Sequence, residues 1–249
     1  MIKFFRKIRY DLMEKNKTGK YIKYAIGEIV LVVVGILIAL QINNWNENRK
    51  EKRNLNQVYR QIQKDLQTDT LEVLRIIDIY KEKNKRLTDI IERNIPISYY
   101  DTINESNYSN CKKCIDDVAN AELFQNLDKG YQLFKSLNID QNNKTDSLSF
   151  KIDTFYKEYD ATFLEINKIL LNLVNEKIDD NQKYDWFIEW SVLEREKYNK
   201  NFVTYIFENE DYRSKSARHL IYSKYYLGNL IDYKKNATII LSSLDKKFK

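Results

Sequence analysis

The stretch YAIGEIVLVVVGILIALQI, Tyr24 to Ile42, runs nineteen residues and is interrupted by charge only at Glu28. As a helix rising ~1.5 Å per residue, Tyr24 to Trp45 covers about 31 Å, which matches the ~30 Å hydrocarbon core of a bilayer. An aromatic residue stands at each boundary, where amphipathic rings favour the membrane–water interface. Each Leu, Ile or Val between Ile29 and Leu40 favours insertion by roughly 0.3–0.6 kcal/mol, and together they outweigh the roughly 2.5–3.5 kcal/mol of a central carboxylate. No A-x-A pattern follows the run, since Ala39 is succeeded by Leu40, Gln41, Ile42 and Asn43, so an uncleaved signal anchor is expected in place of a removed leader.

Charge sets the expected orientation. The net charge of +6 is carried entirely by residues 1–23, where Lys3, Arg6, Lys7, Arg9, Lys15, Lys17, Lys20 and Lys23 face only Asp11 and Glu14. The remainder is neutral, so no basic patch sits on a folded domain as nucleic-acid binding would require. A basic segment directly before an apolar span is the positive-inside pattern and implies a cytoplasmic N-terminus with the bulk of the chain outside. Phe4, Phe5, Ile8 and Leu12 fall at helical spacing among these cations. They read either as an interfacial helix on anionic lipid or as a flexible basic tail.

Five glycines, one proline and 43% hydrophobic residues argue against a turn-rich β fold and for long helices with a packed core. The spacing predicts an all-α chain, in which the transmembrane helix continues into a long helix of an extracytoplasmic antiparallel bundle. Leu55, Val58, Ile62, Leu66, Val73, Ile77, Tyr80, Leu87 and Ile91 recur at mostly three- and four-residue steps, until Pro96 closes the pattern. A second helical region is expected over about Cys111–Leu137, from Val118, Ala121, Phe124, Leu127, Tyr131 and Phe134. A third follows from Leu148, Ile152, Phe155, Tyr159, Phe163, Ile166, Leu170 and Leu173, after a turn-like IDQNNKTD at Ile139–Asp146. A fourth is expected from about Glu210 to Leu244. The domain reading is therefore a basic cytoplasmic segment over 1–23, a span over 24–44 and a helical bundle over 45–249.

Chemistry-bearing motifs are sparse. Cys111 and Cys114 form a C-x-x-C without the βαβ context of a thioredoxin-type site; a local disulfide, unpaired thiols, metal or redox-linked binding and catalysis all fit the spacing. A zinc site would need two further ligands, and His219 is the only histidine. No nucleophile motif accompanies His219, which reads as a surface or bundle residue. No catalytic, metal or cofactor residue is therefore assigned, and an enzyme is not expected. The cluster Tyr184, Trp186, Phe187 and Trp190 reads as core at helical spacing, which leaves the loop aromatics Tyr99, Tyr100 and Tyr108 as binding candidates. In the span, Gly35 and Ala39 form a small-xxx-small pair, and Glu28 stands one heptad before Gly35. The three define a partner face, unless Glu28 merely snorkels to the interface.

YAIGEIVLVVVGILIALQINNWNENRKE, Tyr24 to Glu51, together with the MIKFFRKIR start, AELFQNLDKGYQLFKSLNI at Ala121–Ile139 and FKIDTFYKEY at Phe150–Tyr159, resembles an uncharacterised family of Gram-negative bacterial single-span membrane proteins. The resemblance implies placement in the bacterial inner membrane with a periplasmic domain, and supplies no activity. The expected role is a membrane-anchored interaction or scaffold subunit of a cell-envelope complex, in contact with the lipid bilayer and with a membrane or envelope protein or a second copy of the chain. The alternative is an extracytoplasmic ligand-sensing bundle that acts through a membrane partner.

Overall fold

Scarcity of glycine and proline is realised as helix. The computed structural model describes Arg6, Tyr10 and residues 18–137, 147–192 and 197–248. Its regular elements are α1 (Thr18–Ile91), α2 (Ile97–Tyr100), a 3-10 turn (Tyr108–Asn110), α3 (Lys129–Ser136), α4 (Ser147–Asn181), α5 (Phe187–Val192), α6 (Lys200–Glu208) and α7 (Glu210–Phe248), with no strand among the described residues. Two compact units result, Met1–Gln57 and Val58–Lys249. The stripe Phe4, Phe5, Ile8 and Leu12 and the turn Ile139–Asp146 lie outside the described residues.

In the first unit the hydrophobic side chains from Ile26 to Trp45 are each 46–64% exposed, so this part of α1 buries nothing within the chain. Its backbone polar groups are satisfied inside the helix, as crossing a bilayer requires. The helix is long and apolar enough to do so.

The second unit packs α1 from Val58 onward with α4 and α7. Ile62, Leu66, Val73 and Tyr80 of α1, Ile152 and Leu170 of α4, and Tyr226, Leu230 and Tyr233 of α7 are fully buried, each such aliphatic side chain contributing about 1.5–3 kcal/mol. Side-chain bonds fix the relative sense. Tyr59 Oη and Ser149 Oγ lie 2.6 Å apart at one end, and Gln63 donates to Asp245 at 2.6 Å beside them. Toward the other end Ser223 bonds Asn84, Lys215 bonds Asp180, and Arg213 Nε donates to the Ile91 carbonyl at 2.8 Å. Thus α7 runs antiparallel to both neighbours, whereas α1 and α4 run parallel.

Two parallel helices need a connection that returns along the bundle, and this corrects the expected second helix. Of Cys111–Leu137 only Lys129–Ser136 is α-helical; residues 116–128 form a non-helical strap. Its amides find side-chain acceptors in place of carbonyls one turn back. Phe124 N donates to Tyr226 Oη at 2.5 Å, Leu127 N to Asp69 at 3.1 and 3.2 Å, and Gly130 N, in α3, to Asp65 at 2.7 Å. Lys83 bonds the Asn120 carbonyl, and Arg86 grips Asp117 with two bonds of 2.7 and 2.8 Å. Gly130 sits against α1 so closely that a Cβ there would lie 2.6 Å from the Ile62 amide nitrogen. Of the apolar residues expected on this helix, Val118, Phe124 and Tyr131 are buried, Ala121 and Phe134 are half-buried and Leu127 is exposed; the backbone that carries them is not the one their spacing suggests.

Helix ends follow local chemistry. Arg93 takes a left-handed φ of 56°, and Asn94 N reaches back to the Asp89 carbonyl at 2.9 Å, closing α1 before Pro96 is reached. Asn209 accepts from Tyr212 N at 2.9 Å to cap α7, whose first turn holds Glu210 and Asp211 and whose last holds Lys246 and Lys247, as the helix dipole favours.

Candidate functional site

Within the first unit, Glu28, Gly35 and Ala39 fall on one side of α1 by helical geometry. Gly35 and Ala39 are exposed, and no atom lies within 4 Å of where a Gly35 Cβ would stand.

In the second unit the three loop tyrosines separate. Tyr99 is 38% exposed, with its hydroxyl 3.7 Å from Cys111 Sγ. Tyr100 is buried, stacks on Phe207 at 5.1 Å between ring centroids and donates to Glu208 at 2.9 Å. Tyr108 is buried in the same cluster with Ile103, Cys114 and Val203. Tyr100 and Tyr108 are therefore core residues of this cluster, and of the three candidates Tyr99 presents its ring most openly. Cys111 and Cys114 are joined by a disulfide across a tight turn, with a Cα separation of 5.3 Å. Both cysteines line a cleft of about 170 Å³, together with Tyr108, Trp190, Phe202, Asp116 and Asn120.

A buried polar cluster joins this cleft through Asp116, which accepts from Asn181 at 3.3 Å. Lys177 is 1% exposed and donates to Asn181 and to Tyr205 Oη, its ammonium 4.4 and 5.0 Å from the Tyr205 and Tyr212 ring centroids. Burial pushes Lys177 down to about 8, opposed by the charge of Asp116. Lys83 is pushed to about 8 in the same way, opposed by Asp117 and Asp116. Burial raises Asp117 despite its bonds from Arg86. His219 is 1% exposed, and burial, aided by the charge of Lys83, lowers it to about 3, so the ring is neutral. Neither imidazole nitrogen nor the Ser216 hydroxyl one turn away has a hydrogen-bond partner among the described residues. The two are therefore not bonded to each other and form no activated nucleophile–base pair. Among the described residues no group of three or more His, Cys, Asp or Glu is placed to hold a metal ion.

Asp69, Lys83, Asp117 and Lys177 were missed in the sequence, and His219, read as a surface or bundle residue, is a buried one; their register carried a signal. Asp69 fills the stripe position between Leu66 and Val73, Lys177 follows Leu173 by four, and His219 lies in register with Tyr212 and Tyr226. A charged residue on an apolar stripe is buried and paired, or the helix could not pack.

Fold and sites define an all-helical protein with one N-terminal apolar helix suited to crossing a membrane and a bundle braced by buried charge. The family described as "Family of unknown function (DUF6090)" matches residues 28–188, more than half of the chain, and the protein belongs to it. The searches of curated proteins and of solved structures found no match.

Proposed function

We propose that the protein is an interaction or scaffold subunit of a Gram-negative cell-envelope complex, anchored in the inner membrane with its N-terminus cytoplasmic and residues 45–249 in the periplasm. The observation that carries this reading is the exposed apolar stretch of α1. It suits a lipid environment, and on it Glu28, Gly35 and Ala39 would offer one side to a neighbouring helix. The basic excess before the span favours this orientation, and the Cys111–Cys114 disulfide suits an oxidising compartment. The partner is a membrane or envelope protein, or a second copy of the chain.

A second reading, a ligand-sensing bundle that acts through a membrane partner, draws support from the aromatic-walled cleft beside the disulfide. Copurification in mild detergent separates the two: a stoichiometric protein partner is expected for the scaffold, a retained small molecule for the sensor. Gly35→Leu makes the span more apolar while blocking close approach, so weakened assembly would not reflect poor insertion. Unchanged assembly size and partners in both Gly35→Leu and Glu28→Gln would reduce the span to an anchor. Protection of the bulk of the chain from protease added outside spheroplasts would overturn the orientation.

A further inference from the structure

We propose that the Cys111–Cys114 disulfide is a thiol–disulfide exchange site, and that its substrate is a cysteine pair in an extended, aromatic-flanked segment of another extracytoplasmic protein. Three observations converge on it. First, the sulfurs differ in access: Cys111 is partly exposed, whereas Cys114 is 5% exposed and packed with Tyr108 and Val203. An incoming thiolate therefore reaches Cys111, and Cys114 is the sulfur that leaves. Second, both cysteines line a cleft whose walls are the rings of Tyr108, Trp190 and Phe202, a surface suited to apolar and aromatic side chains on either side of a substrate cysteine. Third, the bond closes a turn with a sequence separation of 3. Loops this short gain the least from a cross-link, so stabilising the fold is a weak reason for the bond.

The chemistry balances without a metal or an external oxidant. A substrate thiolate attacks Cys111 Sγ, the Cys111–Cys114 bond breaks, and Cys114 leaves as thiolate and takes a proton from solvent. The second substrate thiolate then attacks the substrate sulfur of the mixed disulfide, a substrate disulfide forms, and Cys111 is released as thiolate. Two electrons pass from the substrate dithiol to the cysteine pair. The exposed Lys112, next to Cys111 in the chain, provides positive charge that favours Cys111 as the thiolate released in the second step.

The proposal takes its cellular setting from the periplasmic placement above, but the chemistry is testable on purified full-length chain in mild detergent whichever side the domain faces. The probe is a reduced peptide with two cysteines flanked by aromatic residues. One equivalent of peptide disulfide should form per chain as Cys111 and Cys114 become alkylatable. With the peptide supplied as its disulfide, Cys114→Ser should trap it covalently on Cys111, and Cys111→Ser should do so roughly tenfold more slowly. Ser109→Trp, placed to fill the cleft, should slow the peptide reaction about fivefold and leave reduction by dithiothreitol unchanged. The double Ser variant should keep its cooperative melt. A disulfide that resists excess peptide, equal trapping by both single variants, equal slowing of dithiothreitol by Ser109→Trp, or loss of the melt in the double variant would each overturn the proposal in favour of a structural clip. Alkylation in intact cells addresses placement separately: a pair found fully reduced there, with exchange intact in the tube, would remove the periplasmic setting alone.

Discussion

Helix α4 and the strap over residues 116–128 bury apolar side chains against the same core, yet one is helical and the other irregular. In α4, Leu148, Ile152, Phe155, Tyr159, Phe163, Ile166, Leu170 and Leu173 are buried, and no glycine or proline interrupts the segment. In the strap, Phe124 is as deeply buried, meeting Phe163 at 5.1 Å and Tyr233 at 4.9 Å, and its apolar neighbours recur at similar steps. Where the amides go separates them. The α4 amides bond within the helix, whereas Phe124, Leu127 and Gly130 donate to Tyr226, Asp69 and Asp65 on other elements. Apolar spacing reports which residues are buried, and the polar partners across the bundle decide the backbone that buries them.

The largest expected break in that comparison is Gly130→Ala. A methyl group placed 2.6–2.8 Å from Ile62 backbone atoms forces the start of α3, and with it the end of the strap, off α1, and a loss on the order of 3 kcal/mol is expected, read from denaturant unfolding of the full chain in mild detergent followed by tryptophan fluorescence. A comparable substitution on the open surface of α7, Gly228→Ala, meets nothing within 4 Å and should stabilise slightly through helix propensity.

Next comes Asp69→Ala, which strands the Leu127 amide and the Tyr233 hydroxyl, the latter bonded to Asp69 at 2.7 Å, and should destabilise by about 2 kcal/mol. The carboxyl also carries a pH signature, because burial lifts it to about 6 despite the bonds it accepts. The folded state then holds a proton over a range in which the unfolded chain, at ~3.9, has lost it, so this residue adds stability as pH falls from above 6 toward 4. Asp69→Asn should abolish that gain, measured as the difference between the two unfolding free energies at pH 7 and pH 4.5. An identical pH dependence in wild type and variant would place the carboxylate in water rather than under the strap.

How much of this was legible follows from the same residues. The apolar run Ile29–Leu40, the helices α4 and α7 and the buried stripe of α1 were legible because each depends on local composition and periodicity. The parallel arrangement of α1 and α4 was not, since it rests on where Tyr59 meets Ser149 and Ser223 meets Asn84, pairs separated by 90 and 139 residues. The cysteine pair was visible as a motif, but its cleft was not, because Trp190 and Phe202 arrive from a distant part of the chain. Tyr100 and Tyr108 look like loop aromatics from their neighbours, and only their contacts with Phe207 and Tyr198 show them as residues of a buried cluster.

A smaller effect, of opposite sign to that of Asp69, is expected at His219. Its folded value of about 3 lies below the ordinary ~6.5, so the unfolded chain takes up a proton that the folded chain refuses, and stability falls as pH drops from about 6.5 toward 3. His219→Leu should remove that loss, improving on wild type by about 1–2 kcal/mol at pH 5 relative to pH 7.5. Asp69 and His219 act in opposite directions between pH 4 and 6, so each is isolated by subtracting its variant from wild type. A His219→Leu profile parallel to that of wild type would mean that the ring is protonated in the folded state, with a partner in the cluster.

The smallest effect sharpens the other side of the comparison. Leu164 lies on α4 but is 76% exposed, whereas Leu170 on the same helix is fully buried. Leu164→Ala removes no core contact and introduces the best helix former, so the purified chain should change by no more than about 0.5 kcal/mol. The same variant in cells tests something different, because a large exposed apolar side chain is neutral only while nothing covers it. Unchanged stability in the tube, with loss of a copurifying partner or of a larger assembly, would place the outer side of α4 in an interface and give the proposed complex a second attachment beyond the span. Unchanged stability and unchanged assembly would leave the Glu28, Gly35 and Ala39 side of α1 as the surface on which the interaction reading must stand.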